Sequence, residues 1–147
     1  MRFARETLAT VKEEVEPLLR AHYAEIAWRQ DNIPLAVDWE RYLELEKAGK
    51  FVVFTVRKDG TLLGYSAYFI THHLHYRTTI FASNDVLYLD PSARGGTGTK
   101  FIKWCDEQLK QLGAHIHGLH IKLSLDWSPI AERLGFDHVD HVYLKWL

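Results

Sequence analysis

Residues Val86 to Gly98 read Val-Leu-Tyr-Leu-Asp-Pro-Ser-Ala-Arg-Gly-Gly-Thr-Gly, an apolar strand pattern followed by a proline and a cluster of glycines. An amphipathic helix pattern follows directly. Glycine lets the backbone approach a ligand closely, and the first amides of a helix have no partner within the helix. The stretch therefore predicts a phosphate-binding turn between the end of a strand and the beginning of a helix.

On the N-terminal side of this turn, the sequence predicts two helices and three strands. Apolar residues at spacings of three and four predict the first helix, with a kink or break at Pro17. β-Branched and aromatic runs around the turn residues Lys58-Asp59-Gly60 predict a hairpin, which a third strand extends to a meander. The predicted elements are helices at 5–28 and 39–47 and strands at 51–56, 62–74 and 79–89.

On the C-terminal side, helix and strand patterns alternate. We expect helices at 98–112 and 128–134 and strands at 115–125 and 138–147. A strand-helix-strand crossover requires a locally parallel pairing. The predicted fold class is therefore α/β (α+β), with a mixed central sheet, an antiparallel meander plus a parallel crossover, flanked by helices.

Composition narrows the class of protein. A chain of 147 residues with 47% hydrophobic residues can build one core, so we expect a single domain over residues 1–147. Lys and Arg number 18 against 19 Asp and Glu, which does not favour nucleic-acid or anionic-lipid binding. Cys105 is the only cysteine, which excludes an internal disulfide and favours a cytoplasmic setting. We expect no signal peptide and no membrane span.

Other phosphate-binding loops fit the sequence less well. The Walker loop requires Gly-Lys-Ser/Thr, whereas Lys100 follows Thr99. The dinucleotide fingerprint requires Gly-x-Gly-x-x-Gly after the first strand, and Gly96 and Gly98 supply only part of it. A glycine-rich connection without a ligand is the simpler alternative.

The same residues resemble the acetyl-CoA motif of the GNAT superfamily, an apolar strand followed by x-Pro-x-x-Arg/Gln-x-x-Gly-x-Gly/Ala. Leu134-Gly135-Phe136 resembles the second GNAT signature, and the order of predicted elements is similar to the GNAT fold. The loop, the His-Tyr segment and the terminal Tyr-x-Lys-Trp segment are also similar to GNAT-like proteins of bacteriophages, which suggests a phage or prophage origin. The loop is one residue short, because counting from Pro91 places Thr97 and Thr99 at the glycine positions.

The resemblance implies acetyl-CoA as cosubstrate. The strand before the loop would offer backbone groups to the pantetheine arm, and the loop would hold the pyrophosphate. The implied cofactor-binding residues are Leu87, Tyr88, Leu89, Arg94, Gly95, Gly96, Thr97, Gly98 and Thr99.

Acyl transfer to an amine requires a base, and Asp85 is the first candidate. A carboxylate in an apolar strand can have a raised pKa, which suits base catalysis. The alternative for Asp85 is a structural carboxylate at a bulge or strand start, paired with Asn84 or an arginine. The resemblance suggests Tyr143, on the predicted last strand, as the acid; the alternative is a half-buried strand aromatic.

Three further residues complete the predicted site. His73 and His75 share a face of the predicted strand and could relay a proton or bind the acceptor, or they could be a solvated strand end. Glu25, on the first helix, could form the opposite wall. A zinc site built on His115 and His117 lacks a third ligand at motif spacing, so no metal is expected.

Two functions follow from these observations. The first is an N-acetyltransferase that moves an acetyl group directly from acetyl-CoA to an amine acceptor, because Cys105 falls on the buried face of its helix and does not suit a covalent relay. The second is a non-catalytic GNAT-like module that binds CoA or a protein partner, such as a phage modulator of a host factor. The sequence is also compatible with a homodimer.

Overall fold

A computed structural model describes residues 1–147 and contains a five-stranded sheet in the order β1-β2-β3-β4-β5. The first four strands are antiparallel, and β5 is parallel to β4. This mixed sheet with flanking helices confirms the predicted fold class. The elements are β1 Arg2–Glu6, α1 Leu8–Ile26, α2 Trp39–Lys47, β2 Phe51–Lys58, β3 Thr61–His73, β4 Tyr76–Leu89, α3 Gly96–Gln111, β5 Ile116–Gly118 and α4 Ser128–Arg133.

The N-terminal prediction needs two corrections. Arg2–Glu6 forms an edge strand on β2, so the first helix begins at Leu8 rather than Arg5. The helix also continues through Pro17 and ends at Ile26. The segment Arg2–Glu6 becomes a strand because the exposed edge of β2 supplies its hydrogen-bond partners, which a sequence pattern does not reveal.

The C-terminal strands are shorter than predicted. The strand expected at 115–125 covers only Ile116–Gly118 and is followed by a short 3-10 turn at Leu123–Leu125. The strand expected at 138–147 is wrong, because this segment has no regular secondary structure. Its alternating apolar residues fit a strand, but no neighbouring strand pairs with them, and a strand requires such a partner.

The sheet separates two apolar cores. Successive side chains of a strand point to opposite faces, so β2 contributes Phe51 and Val53 to one core and Val52 and Phe54 to the other. Helices α1 and α2 cover the first face, and α3 covers the second. None of the helices has both the length and the apolar character needed to span a membrane.

Candidate active site

The parallel pairing of β4 and β5 is short and creates an open strand edge. Only Phe81–Ser83 of β4 pairs with Ile116–Gly118 of β5. Just beyond this pairing, the Asn84 side-chain oxygen accepts a hydrogen bond from the His120 backbone amide, and the His120 ring lies 3.1 Å from the Asn84 carbonyl oxygen. The rest of β4 keeps β3 on one side and has no strand on the other.

The register shows which backbone groups of β4 face this open edge. The amide of Asp90 donates to the Leu63 carbonyl of β3 at 2.7 Å. Neighbouring residues of a strand direct their amides and carbonyls to opposite sides. The backbone groups of Leu87 and Leu89 therefore face the open edge, whereas those of Tyr88 face β3; pantetheine binding by Leu87, Tyr88 and Leu89 stays a prediction.

Helix α3 begins with unpartnered amides at the end of this edge. Gly95 precedes the helix with φ 93° and ψ −140°, a conformation that favours glycine. No side chain caps the helix, and the amides of Gly96, Thr97 and Gly98 make no hydrogen bond within the chain. A Cβ added at Gly95 or Gly96 would have no atom within 4 Å. The loop is therefore open, and its dipole and amides favour an anion.

Arg94, the residue before the glycines, already has two partners within the chain. Its Nε donates to the Leu89 carbonyl oxygen at 3.0 Å, and its Nη2 donates to Glu25 Oε2 at 2.8 Å. The hydrogen bond that Arg94 donates to Glu25 is the main cause of a raised Arg94 pKa. Glu25, predicted to contact the acceptor, thus lies at the phosphate loop and neutralises its only arginine.

Asp85 is the extra residue of a β-bulge, as the structural alternative for this carboxylate proposed. Ala67 of β3 pairs with Val86, and Tyr68 pairs with Asn84, so Asp85 has no opposite residue. The bulge turns Asp85 toward the α1/α2 face, where it adjoins the core residues Val53, Tyr65 and Val86. Bulges commonly redirect a side chain beside an active site.

The surroundings of Asp85 alter its protonation. Its Oδ2 accepts a hydrogen bond of 2.7 Å from the Tyr42 hydroxyl of α2. Part of the Asp85 side chain is open to solvent. Its carboxylate nevertheless lies against apolar side chains, and the loss of water there raises the pKa of Asp85 above its ordinary value. The Tyr42 hydrogen bond opposes the shift without reversing it. Asp85 therefore combines solvent access with a raised pKa, which suits a base.

The structure does not bring the predicted histidines to Asp85. His73 ends β3, and His75 lies in the turn to β4 rather than on the same strand face; its amide donates to His73 Nδ1 at 3.1 Å. This turn lies at the opposite end of β4, roughly 25 to 30 Å from Asp85 at the rise of a strand. The roles assigned to His73 and His75 stay predictions.

Tyr143 also lies apart from the elements that form the site. It belongs to the C-terminal segment without regular structure and is 89% exposed. Its ring centroid is 6.4 Å from that of His141. Its role as an acid stays a prediction.

The remaining histidines make structural contacts. His115 Nδ1 accepts from the Ile80 amide, while His117 bridges Asp106 at 2.6 Å and the Tyr68 hydroxyl at 3.1 Å. No group of three or more His, Cys, Asp or Glu side chains is arranged to hold a metal ion. Cys105 is buried, which raises its thiol pKa.

Sequence reasoning missed Tyr42 and Tyr65. Tyr42 is separated from Asp85 by 43 positions. Its place on the apolar face of α2 gave a signal for core packing only. Tyr65 is 3% exposed, and its hydroxyl has no hydrogen-bond partner. Neither contact has a local motif, because α2 and β3 meet Asp85 only through the folded sheet.

The architecture matches that of solved acetyltransferase structures. The ribosomal-protein-alanine N-acetyltransferase of Brucella melitensis has a TM-score of 0.74 and 18% identity, over 99% of this chain and 98% of that chain. A predicted acetyltransferase of Clostridium acetobutylicum with acetyl-CoA has a TM-score of 0.71 and 15% identity, over 99% and 95%.

A third structure, the aminoglycoside acetyltransferase meta-AAC0020 from an uncultured soil metagenomic sample in complex with sisomicin, has a TM-score of 0.72 and 16% identity, over 99% and 96% of the two chains. No protein-family model and no curated protein sequence matches the chain. At these identities the likeness establishes the fold and leaves the activity to be argued from the site. It gives no support to a phage origin.

Proposed function

We propose that this chain is an N-acyltransferase that moves an acetyl group from acetyl-CoA to an amine. One observation carries the proposal: the unpartnered amides of Gly96, Thr97 and Gly98 lie where the open edge of β4 ends. A free strand edge can bind an extended amide-containing arm, and a free helix N-terminus can bind phosphate. Acetyl-CoA contains both chemical groups.

The residues present fit this cosubstrate. The three free amides and the positive end of the α3 dipole would hold the pyrophosphate, and the space beside Gly95 and Gly96 admits it. The hydroxyls of Thr97 and Thr99, at half-buried positions, can add hydrogen bonds. The backbone groups of Leu87 and the Leu89 amide would pair with the pantetheine arm, since the Leu89 carbonyl already accepts from Arg94.

Arg94 requires a change of partner to join them. Its guanidinium has five N–H donors, and the contacts with Leu89 and Glu25 leave donors for a phosphate. An anion at the loop competes with Glu25 for this cation. The strength of the Arg94–Glu25 pair therefore sets part of the affinity for acetyl-CoA.

Acetyl-CoA supplies an activated thioester carbonyl. Asp85, as a carboxylate, accepts the proton that the amine loses when its nitrogen bonds to the acetyl carbon and the C–S bond breaks. The departing thiolate takes a proton, for which Tyr143 is the predicted donor; the relay predicted for His73 would require this ring beside Asp85, and it lies at the opposite end of β4. Transfer is direct, because Cys105 is buried in the α3 core and its raised pKa keeps it a thiol.

A non-catalytic module that binds acetyl-CoA is the second candidate. It is favoured by the 89% exposure of Tyr143 and by its place in a segment without regular structure. Such a module would use the same loop and open edge but would have no donor held at the thiolate. Both candidates predict that the chain binds acetyl-CoA, but only the enzyme predicts turnover.

Thermal unfolding with acetyl-CoA, CoA and ATP tests binding first. A ligand at one hundred times its Kd stabilises the folded state by about 2.7 kcal/mol, so both CoA compounds should raise the melting temperature. The proposal is contradicted if neither acetyl-CoA nor CoA raises the melting temperature. Release of free thiol with a panel of amines then separates the enzyme from the module, because only the enzyme releases CoA faster with amine present.

A further inference from the structure

An apolar recess begins at Asp85 and extends between α1, α2 and the sheet. Its inner part has a volume of about 30 Å³, room for one water molecule, and Asp85 is its one charged lining residue. Its outer part has a volume of about 400 Å³ and has seven hydrophobic residues among its nine lining residues. Leu19, Val37 and Tyr42 line both parts, so the two parts adjoin across these side chains.

The inner part has an unsatisfied polar group. Tyr65 lines it, is 3% exposed, and has a hydroxyl without a hydrogen-bond partner. A buried hydroxyl left unpaired costs about 1 to 3 kcal/mol. The Tyr65 hydroxyl oxygen and the Asp85 carboxylate therefore both offer acceptors to an N–H donor in the inner recess.

The outer recess has one carboxylate and one cation in its lining, Asp38 and Arg41. Asp38 Oδ1 accepts from the Arg41 amide at 3.0 Å, where it caps α2, and Arg41 Nη1 lies 2.9 Å from Glu44 Oε2. Asp85 bonds only to the neutral Tyr42 hydroxyl. The inner recess thus offers a single carboxylate beside a large apolar wall, and the outer recess adds the Arg41 cation beside Asp38, which does not suit a polycation with several ammonium groups.

Building on the proposed acyltransferase, we propose that the acceptor is a primary monoamine carried on an apolar aliphatic or aromatic group. Its nitrogen binds at Asp85 and the Tyr65 hydroxyl, and its apolar group fills the outer recess beside Val37 and Phe69. The amine binds as an ammonium and gives one proton to solvent, which reaches Asp85, so that its lone pair becomes free; the neutral nitrogen then lies next to the carboxylate that accepts the second proton. The wall discriminates against polyamines and aminoglycosides, because each would bury additional ammonium groups without partners.

Calorimetric binding to the full chain without acetyl-CoA tests the recess directly. Phenethylamine should bind, whereas phenethyl alcohol, which lacks the charge, and spermidine, which lacks the apolar group, should each bind at least tenfold more weakly. Tighter binding of spermidine, equal binding of the alcohol, or no binding of phenethylamine overturns the proposal.

Variants locate the binding. Val37→Trp fills the recess from the loop before α2 and should weaken phenethylamine binding at least tenfold. Ile33→Trp, on the same loop but outside the lining, should leave binding unchanged. Ala36→Trp, at an exposed position lining only the outer part, repeats the test should Val37→Trp unfold. Unchanged binding in a folded filling variant overturns the proposal.

Tyr65→Phe tests whether the unpaired Tyr65 hydroxyl binds the amine. It removes a group without a partner, so the melting temperature should not fall, while phenethylamine binding should weaken several-fold. A lower melting temperature with unchanged amine affinity would assign the hydroxyl a structural role and overturn its part in the site.

The recess and the acyltransferase can fail separately. Phenethylamine binding without a thermal shift from acetyl-CoA would contradict the acyltransferase and leave the amine recess standing. A thermal shift from acetyl-CoA without amine binding would contradict the recess alone. With both ligands bound, kcat/KM for phenethylamine should exceed that for spermidine at least tenfold, and the reverse order overturns the proposed substrate class.

Discussion

The two edges of β4 differ in how completely they are paired. The edge facing β3 is paired along most of its length, from Tyr76 to Leu89. The edge facing β5 pairs with a strand only at Phe81–Ser83, and hydrogen bonds to His115 and His120 extend this by one residue on each side. Paired backbone groups stabilise the sheet, whereas unpaired groups are free to bind a ligand. The comparison suggests that stability resides in the antiparallel part, β1 to β4, and ligand binding at the open end of β4.

The antiparallel part also contains an arginine that pairs with two carboxylates. Arg57 of β2 binds Glu6 of β1 at 2.9 Å and Glu14 of α1 at 2.7 Å, and its side chain is 14% exposed. At the open end, the comparable pair of Arg94 and Glu25 is more exposed and adjoins the free amides of α3. Arg57 is thus held within the fold, whereas Arg94 is available to exchange Glu25 for a ligand.

The largest expected effect is at the bulge of the open end. Asp85→Asn should lower kcat by roughly 10² to 10⁴-fold, the usual contribution of a general base. The melting temperature at neutral pH should not fall, because burial raises the Asp85 pKa and the charge therefore opposes folding there. Steady-state thiol release and thermal unfolding measure the two effects.

Asp59→Asn, in the β2–β3 turn, is the control and should retain wild-type turnover. The wild-type rate should rise with pH through the raised pKa of Asp85, since only the carboxylate accepts a proton. A wild-type kcat in Asp85→Asn would show that Asp85 is not the base.

The next largest effect belongs to the antiparallel part. Arg57→Ala leaves two carboxylates without their cation and should lower the free energy of unfolding by about 3 kcal/mol at neutral pH. Arg57 hydrogen bonds lower the pKa of Glu6 and Glu14 below 4.5, so their stabilisation is full above that pH and is lost as pH falls through the lower, folded-state values.

Urea unfolding of wild type and Arg57→Ala at several pH values measures this loss, which should shrink in acid. Acetyl-CoA affinity of the folded variant should stay within about twofold of wild type, since Arg57 lies outside the loop. A tenfold loss of affinity would contradict the separation of the two parts.

A smaller effect is expected from a methyl group at the start of α3. Gly96→Ala meets no atom within 4 Å, so stability should be retained, but the methyl lies among the free amides and should weaken acetyl-CoA binding about tenfold. Gly95→Ala is the matched contrast. It meets equally open space but requires φ 93°, so we expect it to lose about 1 to 2 kcal/mol of stability as well. Titration calorimetry and urea unfolding separate the two outcomes, and unchanged affinity in Gly96→Ala would contradict the loop assignment.

The smallest effect is expected at the ion pair beside the loop. Glu25→Gln removes the competitor for Arg94 and should tighten acetyl-CoA binding about threefold, at a stability cost below about 1 kcal/mol. Glu16→Gln, which breaks an exposed pair with Arg20 on the same helix, should leave affinity unchanged. Weaker binding in Glu25→Gln would mean that Glu25 supports the site rather than restraining Arg94.

Much of the open end could be predicted from the sequence, because its signals are local. The glycine cluster before an amphipathic pattern located the beginning of α3 to within two residues, and a carboxylate in an apolar strand marked Asp85. The hairpin at Asp59-Gly60 follows from turn chemistry in the same way. These features depend on residues adjacent in the chain.

Features that depend on distant partners were not predictable. Residues 2–6 form β1 because they pair with the edge of β2. Residues 138–147 form no strand because they pair with no strand of the sheet. The Tyr42–Asp85 hydrogen bond and the unpartnered Tyr65 hydroxyl arise where α2 and β3 meet over the bulge. Sequence periodicity indicates which faces are apolar, but it does not state which polar groups those faces bring together.

The amide resonances of Gly96, Thr97 and Gly98 test the central claim most directly. Uniformly ¹⁵N-labelled chain is titrated with CoA and, separately, with pantetheine, which lacks the pyrophosphate. We predict that CoA shifts these three amides at saturation, that pantetheine does not, and that both shift Leu87 and Leu89. Saturation with CoA while the three amides keep their positions would contradict the claim that the free N-terminus of α3 binds the pyrophosphate.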